Sequence, residues 1–432
     1  MFEQAIEKNK DNLVEDVLKC VGINSVRGEA EEGSPFGSGP KKALEHTLKL
    51  AESMGFRTRN LDNMIGYAEY GEGEEMIAVL GHLDVVPLGD GWDHDPLGEL
   101  CGDRIYGRGT LDDKGPMIGA LYALKAIKEE GVSLKRRIRL IFGTDEESGD
   151  EDVDRYNETE ESPVMGFTPD ADYPVIFSEK GLARFRIEKN LDSKTLISAS
   201  AGEAVNQVPD LAKAELRLED GTSRKLEAQG KAAHASTPWQ GENAIAKLME
   251  KMAECQLPGD LKSFTDFFSA CVGDKTDGKG LGIAHDEGKF GAVTVNAGLL
   301  EGNENRIVIW FDCRYPYGMD FEEAFKSAAQ KAADFGLHAE LERNTPPLYV
   351  PEDSVLVETL QRIYQEQTGT KADPIVIGGG TYAKAMKNIV AFGPVFPDQE
   401  NVIHQKNEYI SVPNLLNNTK IMAQAMYQLA NA

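Results

Sequence analysis

Residues 76–84 read MIAVLGHLD, and the fold follows from how this stretch is placed. The uninterrupted apolar run over 76–80 predicts a strand buried on both faces, as in a parallel sheet. A helical pattern over 112–130 follows, with Met117, Leu121, Leu124 and Ile127 spaced for one apolar face. A second buried strand is predicted over 138–142. Strand, helix, strand in this order is a βαβ unit, so this portion reads as α/β with a parallel core. Upstream, a helix over 2–21, a Gly/Ser/Pro-rich loop GEAEEGSPFGSGP and a helix over 41–54 are predicted, the last stopped by Gly55.

Beyond Glu179-Lys180-Gly181 the pattern changes. ARFRIEKNL, TLISASA, AKAELRLED and RKLEAQGKAAH alternate polar and apolar residues with period two, which predicts antiparallel strands with one wet face. Helices over 244–253 and 261–272 come next, then strands in AVTVNAGLLEG and NRIVIWFDCRYP, and a helix over 321–333. After Pro346-Pro347 the order returns to helix, strand, helix. A chain of 432 residues suggests two domains. The predicted fold is an α/β domain with a mostly parallel sheet, built from 1–180 and 348–432, with an α+β domain inserted at 181–347.

The 46 basic and 72 acidic residues give a net charge of −26, which opposes binding to nucleic acid or to an anionic membrane. Five cysteines (Cys20, Cys101, Cys255, Cys271, Cys313) are scattered, with no C-x-x-C pair. Reduced thiols and a cytoplasmic location are expected. The acidic, amphipathic start carries no secretory signal, and no apolar run approaches the roughly 20 residues of a membrane span.

Three elements carry chemistry. His82 and Asp84 form H-x-D after the first strand, and residues two apart in extended chain project to one side, so Asp84 is placed to hold the His82 ring. RGTLDDKGP (108–116) brings Asp112 and Asp113 to the helix entry, where the bland alternative is an acidic helix N-terminus. GTDEESG (143–149) brings Glu146 and Glu147 to the end of the second strand, and adjacent side chains diverge there. One can face a metal and the other a water, while 150–154 reads as a solvated acidic run. In an open α/β sheet the C-terminal strand ends share a crevice where ligands bind, and His82, Asp112 and Glu146-Glu147 all belong at such ends.

With these motifs in order, the chain resembles the co-catalytic zinc peptidases, a family that includes PepV-type dipeptidases, carnosinases and carboxypeptidase G. The resemblance runs through GHLDVVP (81–87), RGTLDDKGP, GTDEESG, GFTPDAD (166–172), GKAAHASTP (230–238), DCRYP (312–316), GGGTYAK (378–384) and NVIHQKNEYI (401–410). The PepV branch fits best.

The resemblance implies that His82 and Asp170 hold one metal ion, that Glu147 and His404 hold a second, and that Asp112 bridges them. Asp172 competes with Asp170, and the likeness of GFTPDAD to GYTVDG in related tripeptidases favours the first Asp. The ions implied are two Zn²⁺, with Mn²⁺ or Co²⁺ as substitutes. The Asp112–Asp113 peptide is expected to be cis. Glu146 is implied as the general base, taking a proton from the attacking water and passing it to the leaving amine. In the inserted lid, His234 resembles an oxyanion donor, Asn206 a substrate-orienting amide and Arg314 a carboxylate clamp, with backbone donors from Gly378, Gly379, Gly380 and Thr381 beside it.

The expectation is thus a monomeric, cytoplasmic metallo-dipeptidase acting on small peptides, of the Xaa-His type or of broad specificity. A deacylase of N-acyl amino acids or succinyl-diaminopimelate would use the same site. A non-enzymatic metal-binding protein of this fold would have no need of Glu146.

Overall fold

A computed structural model describes residues 1–432, and the chain divides into two compact units. The first comprises 1–177, 350–375 and 381–432; the second comprises 178–349 and 376–380.

The sheet of the first unit is parallel at its centre and antiparallel at its edges. Met76–His82 lies between Arg137–Gly143 and Met165–Thr168, parallel to both, and Ile389–Ala391 adds a further parallel strand beside Met165–Thr168. Ile65–Tyr70 and Arg57–Leu61 continue the other side as antiparallel strands. All seven residues of Met76–His82 are buried, as the apolar run requires. The crossover helix Lys114–Glu130 is buried along most of its length and ends on Gly131, whose φ of +65° is the left-handed cap glycine favours. It packs on the C-terminal helix Val412–Asn431 so closely that a Cβ at Gly119 would meet the Thr419 hydroxyl at 3.1 Å.

Two expectations need correction here. The first helix is broken into Glu3–Lys8 and Lys10–Val21, because the Asn9 side chain bonds back to the Ala5 carbonyl and across to Glu129. The acidic run after Gly149 is not simply solvated. It forms the helix Glu151–Thr159, and Asp152 is fully buried, accepting the Thr144 and Asp145 N–H groups and the Tyr382 hydroxyl.

In the second unit seven strands form one antiparallel sheet in the order Ser223–Gln229, Leu211–Arg217, Leu196–Ala201, Thr294–Asn303, Arg306–Tyr315, Gly181–Asn190, His338–Thr345. Alternate residues face a core shared with helices Ala244–Ala253, Gly259–Cys271 and Phe321–Asp334. Ala183, Phe185 and Ile187 point inward from one strand, and Phe185 stacks on Phe311 at 4.9 Å. The short segment 376–380 belongs to this unit because Lys180 N–H bonds the Ile377 carbonyl and Arg314 bonds that of Gly378. No helix in the chain is long and apolar enough to cross a membrane.

Candidate active site

The parallel registers bring three strand ends level. His82 is the last residue of its strand and pairs with Gly143, so Glu146 and Glu147 follow immediately beside it. Asp170 lies two residues past Met165–Thr168, on the other side of His82. Asp112 arrives from the loop before the crossover helix, after which the Asp112–Asp113 peptide is cis. His404 comes from a loop near the end of the chain with φ +63°, a left-handed conformation that costs a non-glycine residue about 1–2 kcal/mol.

These side chains converge as two donor groups, His82–Asp112–Asp170 and Asp112–Glu147–His404, with Asp112 common to both. His82 Nε2 stands 3.0 Å from Asp112 Oδ1 and 3.6 Å from Asp170 Oδ2; His404 Nε2 stands 2.9 Å from Asp112 Oδ2 and 3.0 Å from Glu147 Oε1. His82 Nε2 and Asp112 Oδ1 are buried and neither has a hydrogen-bond partner. They are close without being aligned on each other, which is the arrangement of two donors aimed at a common ion. The three carboxylates of these groups, gathered with two imidazoles in a largely buried space, would otherwise repel one another, because buried charge is costly without a partner. The residues therefore fit divalent cations bound by mixed N and O donors. Asp170 rather than Asp172 takes part, and Asp172 lies on the short strand Ala171–Asp172, paired with Val395.

The surrounding hydrogen bonds orient these donors. His82 Nδ1 is 3.0 Å from the main-chain carbonyl of Asp84 and 3.4 Å from its carboxylate. The ring is thus held by the backbone of Asp84, and not primarily by its side chain as H-x-D suggested. A Nδ1–H bonded there leaves the Nε2 lone pair facing Asp112. The Asp84 carboxylate instead accepts the N–H groups of Glu146 at 3.3 Å and Glu147 at 3.1 Å, fixing the turn that carries both.

Protons respond to the same crowding. Burial raises the Glu146 carboxyl well above the usual range; His82 opposes this, while Asp170, Glu147 and Asp112 add to it. Burial also pushes Asp170 up to about 7, with Asp112 adding and His82 opposing. Burial disfavours the His404 imidazolium, yet Asp112 and Glu147 outweigh it and push His404 up to about 11. Burial raises Asp112 too, but His404 and His82 more than reverse that and hold it well below the carboxylate range.

Glu408, within NVIHQKNEYI, is a functional residue that the sequence alone does not single out. Its carboxylate is fully buried and accepts the N–H groups of Gly109 (3.0 Å), Leu111 (3.0 Å) and Asp112 (3.3 Å), while Arg108 meets its other oxygen at 2.7 Å. It clamps the Asp112 loop. The signal available was the pairing of a lone Glu with RGTL, and sequence separation hid it. Glu408→Ala leaves Arg108 buried without its counter-ion and is expected to cost about 3–5 kcal/mol of stability, read as a lower midpoint in denaturant unfolding. An unchanged midpoint would remove the clamp from this account.

The remaining expected residues lie in or beside the second unit. Gln207 pairs with His234 across a two-strand ladder, which sets Asn206 next to it, and the Ala235 N–H bonds the Asn206 carbonyl. His234 Nδ1 is 2.6 Å from the Ser236 hydroxyl. Arg314 is buried, with Nε and one Nη bonded to Asp312 at 2.5 and 2.9 Å and the other Nη bonded to the Gly378 carbonyl at 3.0 Å. Three of its five N–H donors are thereby engaged. Gly379 and Gly380 complete that loop, and Thr381, in the first unit, accepts the Ala383 N–H at the start of a short helix.

Residues 78–428 match the description "Peptidase family M20/M25/M40". A candidate dipeptidase of Staphylococcus aureus strain MRSA252 is 36% identical over 465 residues, covering 99% of each chain. Among solved structures, the Saccharomyces cerevisiae di-peptidase Dug1p superposes with a TM-score of 0.66 at 13% identity, covering 100% of this chain and 98% of that one. Human carnosine dipeptidase 1 superposes at 0.62 with 16% identity and the same coverage.

Proposed function

Since the chain belongs to peptidase family M20/M25/M40 and is a hydrolase of the dipeptidase kind, we propose that it cleaves dipeptides by a two-cation, Glu146-assisted hydrolysis. The observation that carries this reading is Asp112, whose two oxygens serve two donor groups at once. His82 and Asp170 would hold one ion, Glu147 and His404 the other, and Zn²⁺ suits the set best. When bound, such ions act as Lewis acids on the scissile carbonyl and the attacking water.

The remaining work falls to the chain. Glu146 belongs to neither donor group, so its carboxylate is available as the base. Burial, aided by Asp170, Glu147 and Asp112, raises the affinity of its carboxylate for a proton, which suits a group that accepts the water proton and hands it to the departing amine. In the second unit, Arg314 retains two N–H donors for a substrate carboxylate, and the resemblance assigns His234, beside Asn206, the role of oxyanion donor.

A clamp that recognises a free substrate carboxylate makes the substrate's C-terminal group the measurable consequence. The cation-loaded protein is expected to turn over free dipeptides with kcat/KM well above that for tripeptides, dipeptide amides or N-acetyl amino acids. A preference for N-acetyl amino acids would replace this reading with the deacylase one.

A further inference from the structure

The hairpin formed by Glu99–Cys101 and Arg104–Tyr106 carries a second convergence of donors, sharing no residue with the Asp112-centred groups. We propose that His94, Glu99 and Cys101 form a surface site for a divalent transition-metal ion, zinc by its donor chemistry. One ligating atom from each residue lies within 4.8 Å of the other two. Glu99 and Cys101 are two apart on one strand and therefore share a face.

Two of the donors, His94 and Glu99, are held in place by contacts of their own. The His94 ring stacks on Tyr106 with centroids 3.7 Å apart and planes 16° apart, and Tyr106 is the cross-strand partner of Glu99. Glu99 is fixed through one oxygen, which accepts the Asp95 N–H at 3.0 Å, and its other oxygen faces His94 Nδ1 at 3.2 Å. Cys101 is exposed and has no disulfide. An imidazole, a thiolate and a carboxylate form a borderline-to-soft set that selects zinc-class ions over Mg²⁺ or Ca²⁺, with water completing the coordination. Binding displaces the Cys101 thiol proton to solvent as the sulfur–metal bond forms, so affinity rises with pH.

The ion would act as a staple. The 92–95 segment is already tied to the loop after His404, since Asp93 and Asn407 exchange two hydrogen bonds of 2.8 Å, and coordination through His94 would fasten the same segment to the hairpin. The ordinary alternative is a His94–Glu99 pair beside an unrelated thiol.

Sulfur separates the two readings. The Asp112-centred groups contain none, so titrating the metal-stripped full chain with Co²⁺ gives a near-ultraviolet thiolate-to-cobalt charge-transfer band only if a cysteine ligates. The band is expected in the parent, to be displaced by Zn²⁺, and to be absent in Cys101→Ser with an unchanged circular dichroism spectrum. In His94→Ala the half-saturating Co²⁺ concentration should rise at least about 10–100-fold, the loss typical of even an indirect metal partner. His82→Ala should keep the band, so the result stands or falls apart from the dipeptidase reading. No band in the saturated parent, or a band that survives in Cys101→Ser, overturns the proposal.

Discussion

Glu146→Gln is expected to lower kcat by about 10²–10⁴-fold, the usual contribution of a positioned acid–base group, while both cations stay bound. Gln keeps the size of the side chain and abolishes its basicity. The backbone of residue 146 is held by Asp84 through its N–H, which the substitution does not touch, so Glu147 should keep its place toward His404. KM should change little, because the lost interaction belongs to proton transfer rather than to binding. Steady-state kinetics with metal analysis checks both halves. Near-parental kcat would remove Glu146 from the chemistry, and a lost cation would make it a ligand instead.

Chelation is expected to abolish turnover altogether, with recovery on adding Zn²⁺, Mn²⁺ or Co²⁺. The single-residue counterparts sharpen this result. His82→Ala should lose one equivalent of metal and His404→Ala the other, whereas Asp112→Asn should weaken both, since it alone belongs to the two groups. Removing the ions also leaves the buried carboxylates uncompensated. The loaded protein should accordingly unfold at higher temperature, by an amount equivalent to about 2.7 kcal/mol at a free-ion concentration 100 times Kd. Full activity in exhaustively chelated protein would end the cation-dependent mechanism.

The sequence made the centre of this site legible for a definite reason. The buried parallel runs 76–80 and 140–142 are apolar, so the polar residues that close them, His82 at one end and Thr144 to Glu147 at the other, mark the strand ends where a crevice forms. Other features depend on distant partners and leave no local mark. Asp152 looks like one more acid in an acidic stretch, and only Tyr382, 230 residues away, and the backbone of Thr144 make it a buried acceptor. Glu408 clamps a loop some 300 residues before it. Asn9 interrupts a good helical pattern because its side chain is engaged elsewhere. The Asp312–Arg314 pair is different. Two residues apart on one strand, these side chains share a face, so the engagement of the guanidinium could have been read directly.

The strand Ile389–Ala391 has a consequence for how the protein is born. It sits inside the first unit's sheet, between Met165–Thr168 and Ile176, so that sheet cannot be completed until residue 391 has left the ribosome. The second unit, apart from 376–380, is one continuous stretch ending at Tyr349. At about 5–20 residues per second, the chain between Ile176 and Ala391 delays closure by roughly 11–43 s, during which the earlier apolar strands must wait. Because His404 emerges later still, the two donor groups that share Asp112 cannot both form until after that sheet can close.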